Sequence, residues 1–327
     1  MTEPRRRQAS AERGLPFSKG LTASSLMVTG LSPLRAYEIA NRIQEELIAT
    51  GNDKVPEARI NELMLDVLRS EAGERYAQAW LKWRSVSQLD VPIIILIGGA
   101  TGVGKSTIAT QLATRFGITR VVSTDAVREV LRSALTADMF PTLYASSFQA
   151  GEAVRQPIPH SADRLIIGFR EQAAAVAVGA RALIERAIKE GTDLILEGAH
   201  LVPGFLEGMD TDRAAIVSML VVVEDETLHR SHFYHRHRDP SSRTGNRYLD
   251  NFEKIRDLQK YMVSSALMRG VRIISHGDLD TTLSELMEYV IDTALGSSDD
   301  DVSKERPGPA PREVEVAAVA PGKELSG

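Results

Sequence analysis

Two kinds of apolar pattern divide the chain. From about Pro16 to Arg84 the apolar residues recur at helical spacing, and no convincing β-run interrupts them. In "SPLRAYEIANRIQEELIATG", Leu34, Tyr37, Ile39, Ile43, Leu47 and Ile48 approximate one face. Ser32 and Pro33 suit the start of that helix and Gly51 suits its stop. A second stretch, "PEARINELMLDVLRS", puts Ile60, Leu63, Met64, Val67 and Leu68 on one side, and a third, "ERYAQAWLKWRS", carries both tryptophans. The pattern predicts a flexible start over 1–15 and a small helical domain over 16–90.

From Val91 to Leu295 the pattern changes to short, nearly continuous apolar runs separated by helical stretches. "PIIILIG", "RVVST", "DLILEG", "AAIVSMLVVV" and "VRIIS" read as strands. "KSTIATQLATRF", "RLIIGFREQAAAVAVGARALIERAIKEG" and "YLDNFEKIRDLQKYMVSSALMRG" read as helices. Strands apolar on both sides and alternating with helices predict an α/β domain over 91–295, a parallel sheet covered by helices on both faces. In such a sheet ligands gather at the carboxyl ends of the strands. The remainder, 296–327, is rich in Pro, Gly, Ser and charge and reads as a disordered tail.

Composition narrows the classes. The 327 residues suffice for about two domains, and 43% hydrophobic with 25% charged is an ordinary globular balance. No apolar run approaches the roughly 18 residues of a membrane span. "MTEPRRRQASAERG" has arginines without the apolar core of a secretory signal. Cysteine is absent, which excludes disulfides, thiol catalysis and Cys-based zinc sites. A cytoplasmic protein is the simplest expectation. The net charge of −5 gives no bulk support for nucleic-acid binding.

The strongest chemical signal is "GGATGVGKST" behind the first apolar run of the α/β region. Gly99, Gly104, Lys105 and Ser106 fill the pattern G-x-x-x-x-G-K-S/T of a phosphate-binding loop, the Walker A motif. Backbone N–H groups from Gly99, Ala100, Thr101, Gly102, Val103, Gly104, Lys105, Ser106 and Thr107 can cradle phosphates there. Lys105 can bridge the β- and γ-phosphates of ATP, and Ser106 can ligate Mg²⁺. The next two strands end in acids. Asp125, in "VVSTDAVREVLR", can orient or deprotonate an acceptor hydroxyl and hold waters around Mg²⁺. Arg128, one helical turn on, can bind an anionic acceptor or the transferring phosphoryl. Glu197, in "DLILEGAHLVPG", can support the metal and its water shell. His200 reads equally as an acceptor contact and as a hydrogen-bonded structural histidine. Gln172 and Arg170 in the long helix have no more than a weak claim to the acceptor.

After the fourth strand, "DETLHRSHFYHRHRDPSSRTGNRYLD" sets Arg230, Arg236, Arg238, Arg243 and Arg247 around a Pro-Ser-Ser turn. A lid closing arginines over triphosphate and acceptor has this composition, with Arg236, Arg238 and Arg243 as its catalytic members. His229, His232, His235 and His237 share the segment. No H-E-x-x-H or cysteine partner accompanies them, so anion recognition explains the segment better than a metal centre.

"PFSKGLTASSLMVTGLSPLRAYEIANRIQEEL", "GGATGVGKST", "STDAVREVLRS", "PTLYASS", "ILEGAHLVPG" and "RYLDNFEKIRDLQKYM" together resemble the archaeal-type 2-phosphoglycerate kinases, over about 16–291. The phosphate loop is common to many proteins, whereas "ILEGAHLVPG" and "YLDNFEKIRDLQ" are much narrower. The resemblance implies ATP-dependent phosphorylation of the 3-hydroxyl of 2-phosphoglycerate, giving 2,3-bisphosphoglycerate. It also implies a P-loop kinase-type sheet preceded by an ATP-cone-like helical domain. The basic hairpin expected ahead of "PFSKG" is weak in "RRRQASAERGL", so regulatory nucleotide binding and a purely structural or homo-oligomer role both stand open. Two other readings remain: a kinase for another small anionic alcohol, and a nucleotide-gated regulatory protein without small-molecule turnover.

Overall fold

The structure is a computed structural model that describes residues 18–49, 54–204, 207–209, 212–235, 244–299 and 313–315. Contacts group the chain into two units, 1–90 with 298–327, and 91–297. The first contains α1 (Lys19–Met27), α2 (Pro33–Ala49), β1 (Lys54–Pro56), α3 (Glu57–Glu71) and α4 (Glu74–Ser87). Ser18 starts α1 by accepting the Leu21 N–H on its hydroxyl, as a helix N-cap does. Leu26, Ile39, Ile43, Leu47, Met64, Leu68 and Trp80 meet in one buried cluster.

The apolar stripe of α2 differs from the expected one. Leu34, Tyr37 and Ile48 are exposed, whereas Ala36, Ile39, Ala40, Ile43 and Leu47 are buried. The buried stripe thus keeps Ile39, Ile43 and Leu47 of the expected face and is completed by two alanines. A short β-pair is also present where none was expected. Lys54 to Pro56 run antiparallel to a strand at Glu313–Glu315, so part of the expected disordered tail forms structure.

The second unit carries the α/β pattern: β2 (Ile93–Gly98), α5 (Lys105–Phe116), β3 (Val121–Ser123) and α6 (Thr124–Ala134). Two short 3-10 helices, Pro141–Tyr144 and Ser147–Ala153, lead to α7 (Arg164–Glu190) and β4 (Leu194–Gly198). Then follow β5 (Ala215–Val222), α8 (Glu226–His235), α9 (Thr244–Asp250), α10 (Phe252–Met268), β6 (Arg272–Ser275) and α11 (Leu279–Asp299). The last helix runs past the boundary expected at 295. The five strands of this unit are all parallel, in the order β3-β4-β2-β5-β6. The strand entering the phosphate loop, β2, is therefore central.

All six β2 residues are buried, and successive side chains point to opposite faces, so both faces are covered. Ile94 and Leu96 pack with Ala180, Ile184 and Ala187 of α7. Each of the isoleucine and leucine side chains contributes roughly 1.5–3 kcal/mol on burial. Asp163 starts α7 by accepting the N–H groups of Leu165 and Ile166 at 2.9 and 3.2 Å. Among the described residues no helix is long and apolar enough to cross a membrane.

Candidate active site

The carboxyl ends of β3, β4 and β2 lie side by side, with Ser123 paired to Glu197 and Ile97 also paired to Glu197. That register places the turn after each strand next to the others. From β2 the chain enters the loop 99–104 and then α5, whose first residues are Lys105 and Ser106. The loop turns through positive φ at Gly99, Gly102 and Gly104. At Gly102 a Cβ would also run into the Phe233 ring, so only glycine fits that position. Lys105 is buried, and its Nζ donates to the Ala100 carbonyl at 2.8 Å, which curls the side chain back over the loop.

Ser106 Oγ donates to Glu197 Oε1 at 2.9 Å, and Glu197 is buried. A carboxylate left in such a place without a partner would be costly. The hydroxyl and carboxylate oxygens form a hard-oxygen donor pair, the chemistry Mg²⁺ prefers. Among the described residues no group of three His, Asp or Glu side chains is arranged to hold a metal by itself. A Mg²⁺ ion here would thus take its remaining ligands from phosphates and water, as this ion commonly does.

Asp125 occupies the first turn of α6, which Ser123 caps by accepting the Ala126 N–H at 3.1 Å. Its carboxylate is exposed, 3.8 Å from Arg128 Nε. The Arg128 side chain is mostly covered; one of its terminal nitrogens donates to the Ala145 carbonyl, while Nε is buried without a hydrogen-bond partner.

Behind this pair runs a chain of buried hydrogen bonds. Gln172 donates through Nε2 to the Thr142 and Ala145 carbonyls, which leaves Oε1 as its acceptor. His200 Nε2, 3.1 Å from that oxygen, must carry the proton. Its Nδ1 lone pair then accepts the Thr124 hydroxyl at 2.9 Å. Burial pushes the His200 pKa down to about 4, against an opposing pull from Asp125, so the ring stays neutral. His200 is therefore a structural histidine, and Gln172 is a buried link rather than an acceptor contact. Arg170 is exposed. At Gly198 a Cβ would collide with the Thr124 hydroxyl, so a glycine ends β4 where α6 begins.

Arg230 and Arg247 are engaged in packing. Arg230 lies 3.8 Å over the Phe252 ring and pairs with Glu253, and Arg247 donates to Gln149 while lying over Phe148. Arg236, Arg238 and Arg243, with His237, lie outside the described residues. His229 and His232 reach the loop, against the Thr101 and Gly102 carbonyls. Sequence spacing shows that these two share a helix side; it does not show what they touch. The roles of Thr124, Gln172 and Phe233 leave no local signal, because each partner is tens of residues away.

No family model matches the chain. Curated relatives match over nearly all of it. The protein named 2-phosphoglycerate kinase of Methanothermobacter thermautotrophicus is 36% identical over 290 residues, 88% of this chain and 94% of that one. Its namesake in Pyrococcus furiosus is 40% identical over 281 residues, 86% and 91% of the two chains. In Methanopyrus kandleri the figure is 37% over 278 residues, 84% of each chain. A gluconokinase structure from Sinorhizobium meliloti aligns with a TM-score of 0.39 at 13% identity, over 64% of this chain and 98% of that one. The identity and coverage of the curated relatives place this chain in the 2-phosphoglycerate kinase family.

Proposed function

We propose that this protein is an ATP-dependent kinase that phosphorylates the 3-hydroxyl of 2-phosphoglycerate, giving ADP and 2,3-bisphosphoglycerate. One observation carries the chemistry: a phosphate loop whose Ser106 is hydrogen-bonded to a buried Glu197, beside a strand end that presents Asp125 and Arg128. The name shared by the relatives supplies the acceptor.

In this reading the loop amides and Lys105 hold the ATP phosphates. Ser106 and Glu197, with Asp125 through water, would hold Mg²⁺, which when bound draws charge from the phosphate oxygens. Asp125 accepts the proton of the acceptor hydroxyl as the new O–P bond forms and the bond to ADP breaks. Arg128 neutralises the acceptor's carboxylate or phosphate, a role supported by its place one helical turn from Asp125. Arg236, Arg238 and Arg243 remain assigned to the transferring phosphoryl on composition and chain position alone.

Purified protein supplied with ATP, Mg²⁺ and 2-phosphoglycerate should release ADP and form a bisphosphoglycerate identifiable by mass spectrometry. Turnover with another anionic alcohol and none with 2-phosphoglycerate would reassign the acceptor. No acceptor-stimulated turnover across small phosphorylated hydroxy acids would leave the nucleotide-gated regulatory reading. Asp125→Asn should lower kcat by about 10²-fold or more while ATP affinity stays within a few-fold. A variant as active as the parent would remove the proton-accepting role from Asp125.

A further inference from the structure

Two histidines of α8 reach back some 130 residues along the chain to the phosphate loop. His229 Nε2 lies 2.9 Å from the Thr101 carbonyl oxygen, and His232 Nδ1 lies 2.8 Å from the Gly102 carbonyl oxygen. A carbonyl can only accept, so the proton sits on Nε2 of His229 and on Nδ1 of His232. Their three-residue spacing puts both rings on one side of the helix, over two consecutive peptides.

The surroundings fix this arrangement. His229 is fully buried, stacked on Phe233 at 5.5 Å and edge-on to Phe252 at 5.3 Å between centroids. Burial pushes its pKa down to about 4, and its Nδ1 lone pair faces the Arg256 guanidinium at 3.5 Å. Arg256 is itself anchored on the Val223 and Glu224 carbonyls. Phe233 closes over Gly102, and His276 packs against Gly104. The Thr282 hydroxyl donates to the Asp278 carbonyl at 2.6 Å, so His276 keeps its proton on Nδ1, directed at Thr282 Oγ1 3.2 Å away.

In a trans peptide the C=O and the following N–H point in opposite directions, and the described chain has no cis bond. Holding the Thr101 and Gly102 carbonyls toward α8 therefore turns the N–H groups of Gly102 and Val103 the other way. We propose that His229 and His232 are positioning residues for nucleotide binding, which fix these two loop peptides with their N–H groups set for the phosphates before ATP arrives. The inference rests on the reading of residues 99–107 as the phosphate site. Its energetic logic is preorganisation: donors already aimed at the ligand need no reordering on binding.

The test uses the difference between the two donor atoms. Asparagine places its amide nitrogen near the position of a histidine Nδ1, and glutamine places it near Nε2. MgADP affinity is measured by calorimetry on the full chain without acceptor, alongside the Tm of each variant. His232→Leu and His229→Leu should each weaken MgADP binding about tenfold, the effect of one hydrogen bond worth ~1.4 kcal/mol. His232→Asn and His229→Gln should stay within about twofold of the parent, while the crossed variants His232→Gln and His229→Asn should not recover. In turnover assays the losses should appear in the KM for ATP and not in the KM for the acceptor. Parent-like affinity in the leucine variants, or equal loss in donor-retaining and crossed variants of matched Tm, overturns the proposal. Should the leucine variants fail to fold, the matched against crossed pairs still decide. No MgADP binding by the parent chain would overturn the phosphate-site reading itself, and the inference with it.

Discussion

Ser106 and Glu197 are 91 positions apart and meet through a single hydrogen bond of 2.9 Å. Glu197→Gln retains an oxygen that can accept from Ser106 and nearly the same volume, so the fold should tolerate it. What it removes is a negative charge in a buried place, where a charge has most effect on a nearby cation. Turnover at saturating ATP should fall by about 10²-fold, and the Mg²⁺ concentration needed for half-maximal rate should rise. A rate profile against Mg²⁺ identical to that of the parent would exclude Glu197 from metal support. This residue was legible in the sequence for a physical reason. An acid ending an apolar strand must find a partner, and the strand order of a P-loop sheet brings it to the loop. Thr124, His200 and Gln172 were not legible in the same way. Their hydrogen bonds span 76 and 28 positions, and nothing in local spacing fixes which buried polar groups will satisfy one another.

Among the elements, α7 does more than cover the sheet. Its Gly168 lies so close to the 3-10 segment that a Cβ would sit 2.5 Å from the Ala150 carbonyl carbon and oxygen. One turn further along, Gln172 holds the Thr142 and Ala145 carbonyls, and Ala145 also receives Arg128. Gly168→Ala sets two effects against each other. Helix propensity favours alanine by about 1 kcal/mol, whereas a clash with rigid backbone costs about 1–3 kcal/mol. The clash should win, giving a net loss in stability by urea titration and a KM for the acceptor that rises more than the KM for ATP. A stabilised variant with unchanged kinetics would show that the 3-10 segment yields freely. Two of the three helices read from periodicity in the α/β region stand, α5 to its terminal residues and α7 nearly so, whereas "YLDNFEKIRDLQKYMVSSALMRG" is broken at Asn251 into α9 and α10. The buried stripe of α2 was legible at Ile39, Ile43 and Leu47 but not at Ala36 and Ala40, because periodicity weights the larger Leu34, Tyr37 and Ile48. The pairing of β1 with Glu313–Glu315 joins two three-residue segments far apart in sequence, too short for any alternation to register.

For the whole molecule, the neutral histidines make a prediction about pH. His200 and His229 have pKa values pushed down to about 4, and burial also lowers that of His276. In the unfolded chain all three would titrate near 6.5. Between about pH 6.5 and 4 the unfolded chain therefore binds more protons than the native protein, and stability must fall as the pH drops through that window. The slope reaches up to ~1.4 kcal/mol per pH unit for each histidine that stays neutral in the native state. The carboxylates with lowered pKa values, Glu74, Glu190 and Asp278, act in the same direction but only below about 4.5, so the upper part of the window belongs to the histidines. Urea midpoints measured from pH 8 to 5 should be level above about 7 and decline below 6.5. His200→Gln should be less stable at pH 7.5, since it keeps a donor near Nε2 for Gln172 but loses the Nδ1 acceptor of the Thr124 hydroxyl, yet its decline below 6.5 should be shallower by one proton. A midpoint that stays level down to pH 5 would mean that His200 and His229 are charged in the native protein. The tautomers deduced for the acceptor-side chain and for the Arg256-facing histidine behind the phosphate loop would then both be wrong.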